Sequence, residues 1–314
     1  MVRKLKGSKT KNKIKKQSIQ KYEDFDSLGA EPMSVEEREI AKEILAEISI
    51  EDLEQDFNSF LQSLSLDMSD DEIINKLKSF IPCKSFIPNN KKAILDIRDN
   101  FEIEKGGKFF RIRRIKQGQS GTYEELKTES DIWAPPEKYV TKYQRINKPN
   151  QSVLYITNNK VLAIQETEVK EGEKFILIEY ETLTPLNFCG IKIENEASKT
   201  NFTEEEIKKL NFIDAFYRKL FSEKIEKDSE ELIYKVSNII ARKIHPLTDN
   251  QVGWCYRPVA GGRGFNFALE PENIKDKLKV SGISVETKRG DTTEVTEEFK
   301  CVGGKICKTW PTQY

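Results

Sequence analysis

The order of elements in this sequence predicts an α+β fold, with a mixed or antiparallel β core and flanking helices. Strand-like segments come first, two helices follow and strands return, without the regular β-α-β alternation that builds a parallel sheet. A helical region set apart by its charge precedes them. Residues 23–75 hold seventeen acids against Arg38 and Lys42, whereas residues 1–21 hold nine lysines and arginines and no acid. The expected organisation is a basic disordered tail over residues 1–22, an acidic helical region over 23–90 and an α+β domain over 91–314, long enough to bury a large core.

The acidic region carries helix start signals. Ser34-x-x-Glu37 and Ser69-x-x-Glu72 are capping boxes and Ser49-x-x-Asp52 is a weaker copy. Ile40, Ile44, Leu45 and Ile48, then Leu53, Phe57, Phe60, Leu61 and Leu64, recur at helical spacing, until Pro82 and the turn around Pro88 end the pattern. Residues 101–115 alternate around Gly106-Gly107, which predicts a hairpin whose second strand is 108–115. Residues 153–156 and 174–180 are further strands, the latter with Phe175, Leu177 and Glu179 on one face. The capping box Thr203-x-x-Glu206 opens a helix towards Phe221, and a second helix over 229–244 aligns Leu232, Val236, Ile239 and Ile240. Strand character returns at Val252, and residues 283–302 read as a closing hairpin turned at Arg289-Gly290-Asp291.

Composition excludes several classes. One-third of the residues are charged, no apolar run approaches the roughly 20 residues of a membrane span, and the lysine-rich start lacks a signal-peptide hydrophobic segment. A cytoplasmic protein without a membrane partner is expected. The five cysteines form no C-x-x-C pair and only His245 could join them on a metal, so structural thiols and no metal are expected. His245 follows a helix end and reads as a last-turn cation. The lysines of the tail have no aromatic platform beside them, so nucleic acid is not an expected partner; a solvated tail, or one held by the acidic segment, is. Phosphate-loop, dinucleotide-loop and nucleophile-elbow motifs are absent. Any catalysis therefore falls to carboxylate, arginine, tyrosine or serine.

Those types cluster between Arg111 and Glu166. Arg111 and Arg113, two apart on a strand, share a face, and a guanidinium fork suits phosphate oxygens. Glu166 closes the apolar run 161–164, which should hold its carboxylate near the domain body. In order, the chain shows Phe110-Arg111-Ile112-Arg113, Trp133-Ala134-Pro135-Pro136, Arg145-Ile146-Asn147, Leu154-Tyr155 and Ala163-Ile164-Gln165-Glu166. Downstream come Gly253-Trp254-Cys255-Tyr256 and Gly264-Phe265-Asn266-Phe267-Ala268-Leu269.

This series resembles the RES-domain family, whose name records an arginine, a glutamate and a serine; the resemblance spans about residues 95–285. It implies a fold like that of the ADP-ribosyltransferase toxins, and a toxin of a bacterial toxin-antitoxin pair that consumes NAD by hydrolysis, phosphorolysis or transfer. An antitoxin or other partner protein is implied with it. On that resemblance Arg111 clamps the diphosphate with help from Arg113 and Arg145, and Glu166 serves the ribose. Tyr155 stacks on nicotinamide, with Tyr123, Tyr139 and Tyr143 as rivals. Asn147, Tyr256, Arg257 and Asn266 complete the ligand-binding set, the two asparagines by fixing loops. One position departs: the family's Tyr-Pro-Ser is Tyr256-Arg257-Pro258 here, so proline fills the serine slot, without a hydroxyl or an N–H, and Arg257 is the residue placed to replace that contact. Impaired turnover, leaving a module that binds a nucleotide or a partner protein, is the alternative, and the acceptor, water, phosphate or a macromolecule, stays open.

Overall fold

The computed structural model describes residues 15–17, 35–78, 99–115, 126, 128–191, 201–261 and 263–310. The Ser34 half of the first capping box, the Pro82 and Pro88 turns, Cys83 and Tyr123 lie outside the described residues.

Three helices fill the acidic region: α1 (Val35–Ala46), α2 (Ile50–Ser63) and α3 (Asp70–Lys78). The cap at Ser69 is reciprocal, with Glu72 N–H on Ser69 Oγ at 3.2 Å and Ser69 N–H on Glu72 Oε2 at 2.7 Å. At Ser49 only the forward bond forms, from Asp52 N–H at 3.0 Å. The apolar faces of these helices share one core with α5 (Glu204–Phe221) and α6 (Lys227–Ile239): Leu45, Phe60, Ile73 and Leu77 pack with Phe216, Leu220, Val236 and Ile240. The box at Thr203 starts α5, through Glu206 N–H on Thr203 Oγ1 at 3.3 Å and Thr203 N–H on Glu206 Oε2 at 2.6 Å. A π turn over Ile240–Ile244 ends α6. His245 caps it, fully buried, its Nε2 3.1 Å from the Tyr217 hydroxyl and its carbonyl accepting from Trp254 Nε1 at 2.8 Å. It stands at the helix end, as expected, and is an interior residue there.

The sheet joins β1 (Lys15–Gln17), β2 (Asp99–Ile103), β3 (Lys108–Arg114), β4 (Leu154–Thr157), β5 (Lys174–Thr182), β6 (Leu186–Ile191), β7 (Gln251–Tyr256), β8 (Asn266–Leu269), β9 (Leu278–Arg289), β10 (Thr292–Val302) and β11 (Lys305–Trp310). Their order is β1-β10-β9-β5-β3-β4-β8-β7-β6-β2, with β11 beside β10. Pairing is antiparallel except between β6 and β7, whose crossover is the α5–α6 pair. The α+β class is therefore realised as a mostly antiparallel mixed sheet with helices against it. The closing hairpin forms between β9 and β10, and β11 adds a strand to it. Three residues of the basic tail, β1, pair with Thr293, Glu294 and Val295 of β10.

The expected hairpin at Gly106-Gly107 does not form. Both strands exist, but β3 pairs with β5 and β2 pairs with β6 at the far end of the sheet. The turn is captured by β5 instead: Gly106 N–H meets Thr182 O at 2.9 Å, Gly107 N–H meets Thr182 Oγ1 at 2.9 Å, and Thr182 N–H returns to Gly107 O at 3.0 Å. Apolar faces of both strands converge on Phe267, with ring centroids 5.7 Å from Phe101 and 4.9 Å from Phe109. Long-range burial has overridden the local turn signal. Among the described residues no helix is long and apolar enough to cross a membrane.

Candidate functional site

Strands β3 and β4 touch at one residue pair, Phe110 with Thr157. Beyond it β3 pairs only with β5, and the strands part around a cleft of about 230 Å³. Residues paired directly across a sheet share a face. Phe110, Thr157, Asn266 and Tyr256 therefore form one row beneath this cleft, and Tyr155, opposite Ala268 and Trp254, stands in the next row on the same face.

Over that face lies α4 (Lys160–Glu166), formed by the apolar run that ends at Glu166. Asn159 caps it, its Oδ1 accepting from Val161 N–H at 2.8 Å and Leu162 N–H at 3.2 Å. Ala163 and Ile164 pack on Phe110, Ile112, Phe175 and Leu177. At the other end of the contact, Lys160 Nζ sits 2.9 Å from Glu286 Oε2 in a pair whose glutamate is 1 % exposed. The anchored helix places Glu166 at the cleft. A carboxylate at a helix C-terminus opposes the helix dipole. Here Ala260 N–H compensates, donating to Glu166 Oε1 at 2.8 Å. That bond ties α4 to the loop after β7, whose shape depends on Gly264. Its φ is +117°, and a Cβ there would lie 2.9 Å from Asn158 Oδ1, the atom that receives Phe265 N–H at 2.8 Å.

Five of the nine site residues anticipated from sequence line this cleft: Arg111, Tyr155, Glu166, Tyr256 and Asn266. They come from β3, β4, α4, β7 and β8. Tyr155 presents its ring, while its hydroxyl donates to Asn147 Oδ1 at 2.8 Å and accepts Ile146 N–H at 3.1 Å. Burial holds the Tyr155 and Tyr256 hydroxyls above the usual phenol range; at Tyr256 the nearby Tyr155 and Glu166 add to it and Arg145 opposes it. Both stay neutral donors at ordinary pH. Asn266 is 8 % exposed, and among the described residues its amide makes no hydrogen bond. It is a strand residue facing the cleft, and Asn158 and Asn159 hold the loops instead.

The other four stand elsewhere. Arg113 shares a face with Arg111, and the two guanidiniums bind the carbonyls of Asp131 and Trp133. That face is opposite to Phe110, so the Arg111 side chain leaves β3 on the side away from Glu166 and anchors the Trp133 loop, while the residue itself borders the cleft. Arg145 is buried, donating to Leu220 O and, at 2.6 Å, to Glu223 O, with its guanidinium 5.2 Å from the Tyr234 ring centre. It closes the C-terminal end of α5. Asn147, 1 % exposed, positions Tyr155. Arg257 lies over Phe265 at 4.8 Å and lines a neighbouring cavity with Pro258. Of the rival tyrosines, Tyr139 is 68 % exposed and Tyr143 does not line the cleft. Thr157, Asn159 and Ala260 were missed; of these, Asn159 ahead of an apolar run is a readable cap signal.

Compared with known proteins, the chain matches no family model, no curated protein and no solved structure.

Proposed function

We propose that this chain is an NAD-consuming enzyme of the RES type, which breaks the bond between nicotinamide and ribose in the cleft between β3 and β4. The observation that carries the reading is the meeting of Arg111, Tyr155, Glu166, Tyr256 and Asn266, scattered over 156 positions of sequence, around one cleft. An ADP-ribosyltransferase-like fold belongs to the same reading, supported by a mixed sheet whose strands part at the site.

Cleaving that bond builds positive charge on the ribose, so a fixed carboxylate stabilises the transition state more than the ground state. Glu166 supplies it from the end of an anchored helix. The Tyr155 ring stacks on nicotinamide, and the Tyr256 hydroxyl and Asn266 amide orient the ribose; Arg111, with its guanidinium on the other face of β3, holds the Trp133 loop at the edge of the cleft. The protein is expected to release nicotinamide from NAD, and Glu166→Gln to slow release by about a hundredfold or more. Equal rates in the two proteins contradict the assignment.

A second reading, a module that binds a nucleotide or partner protein without turnover, is favoured by Pro258. It occupies the family's serine slot and faces the neighbouring cavity instead of the cleft. It predicts ligand-dependent thermal stabilisation with no loss of NAD.

A further inference from the structure

The neighbouring cavity, about 320 Å³, lies between α5 and the loop after β7. Its position follows from topology. The two parallel strands β6 and β7 end together at the pair Ile191–Tyr256, and Ile191 lines the cavity.

Its chemistry is specific. Arg218 and Arg257 contribute two guanidiniums, Ser222 a hydroxyl and Asp214 a carboxylate. Asp214 is buried, Arg257 is half-buried and Arg218 is exposed, so the carboxylate lies deep and the cations stand nearer solvent. Arg257 is held in place: its guanidinium lies 4.8 Å from the Phe265 ring centre, and its carbonyl accepts from Ser222 Oγ at 3.0 Å. Guanidinium forks match phosphate oxygens, and a fixed carboxylate takes a hydrogen bond from a sugar hydroxyl. The volume lies within the range of small-molecule sites. Phe221 and Tyr256, with ring centres 6.1 Å apart, stand between the cavity and the cleft.

We propose that this cavity is a second ligand site, for a phosphorylated sugar such as a nucleoside monophosphate, with Arg218 and Arg257 on the phosphate and Asp214 on a sugar hydroxyl. None of these three side chains lines the cleft, so the proposal stands whether or not the cleft turns NAD over.

The test is calorimetric titration of the full chain with AMP, ribose 5-phosphate and inorganic phosphate. Both sugar phosphates are expected to bind, each more tightly than inorganic phosphate, and Arg218→Gln and Asp214→Asn are each expected to weaken them by about tenfold or more. Circular dichroism checks that the variants fold; Arg218→Gln, at an exposed position, serves alone if Asp214→Asn does not. No binding of either sugar phosphate, or unchanged affinity in folded Arg218→Gln, overturns the site. Inorganic phosphate binding as tightly as AMP overturns the sugar assignment.

Discussion

Tyr155→Phe separates the two jobs assigned to that residue. The change removes one hydroxyl and leaves the ring. Two partners lose their bond: the Asn147 Oδ1 acceptor at 2.8 Å and the Ile146 N–H donor at 3.1 Å. Ile146 is 0 % and Asn147 1 % exposed, so water does not replace what is lost. Two unsatisfied buried groups cost about 2–6 kcal/mol together, and recovering the hydroxyl's own burial cost of about 1–2 kcal/mol leaves about 2–4 kcal/mol of destabilisation. Urea unfolding followed by circular dichroism should show that loss with an unchanged m-value. In nicotinamide-release assays the folded variant should keep its KM within about twofold, because stacking belongs to the ring, whereas Tyr155→Ala forfeits about 1–3 kcal/mol of stacking. A Tyr155→Phe protein as stable as wild type refutes the network. A stable fold that loses turnover refutes the ring assignment and gives the role to the hydroxyl.

Three further outcomes are expected. Arg145→Ala should destabilise by about 2–4 kcal/mol, since it leaves helix-end carbonyls without their charged donor, while retaining nicotinamide release per folded molecule; loss of release at full stability would return Arg145 to the site. Glu286→Gln should cost about 3–5 kcal/mol by leaving Lys160 buried beside a neutral partner, and pairing it with Lys160→Met should recover part of that loss in a double-mutant cycle. Burial raises the hydroxyl pKa values of Tyr155, Tyr180 and Tyr256. Their unfolded value is about 10, so the stability they contribute is complete below about pH 10 and falls as pH rises towards the folded values. Urea midpoints should therefore drop above about pH 10, and phenolate absorbance from these residues should appear only with unfolding.

What the sequence disclosed was what neighbours along the chain decide. The caps at Ser69 and Thr203 form because donor and acceptor lie three residues apart. The alternation of Phe175, Leu177 and Glu179 and the turn at Gly290 are equally local. The Gly106-Gly107 hairpin misled because its turn is decided by Thr182, distant in sequence. The short helix α4 leaves little mark in the sequence because seven residues carry little periodicity. At the site, residue type located the cleft but not the division of labour. Arg145 and Arg257 are as suited to phosphate as Arg111, and only the fold sends one to the end of α5 and the other into the second cavity.

Incubating the purified full chain with NAD, with and without inorganic phosphate, and identifying the products, alongside Glu166→Gln, decides whether this cleft cleaves NAD. The expected result is free nicotinamide with ADP-ribose or its phosphorylated counterpart, with release slowed by about a hundredfold or more in the variant. Intact NAD after incubation with stoichiometric protein, or the same release from Glu166→Gln, would contradict it.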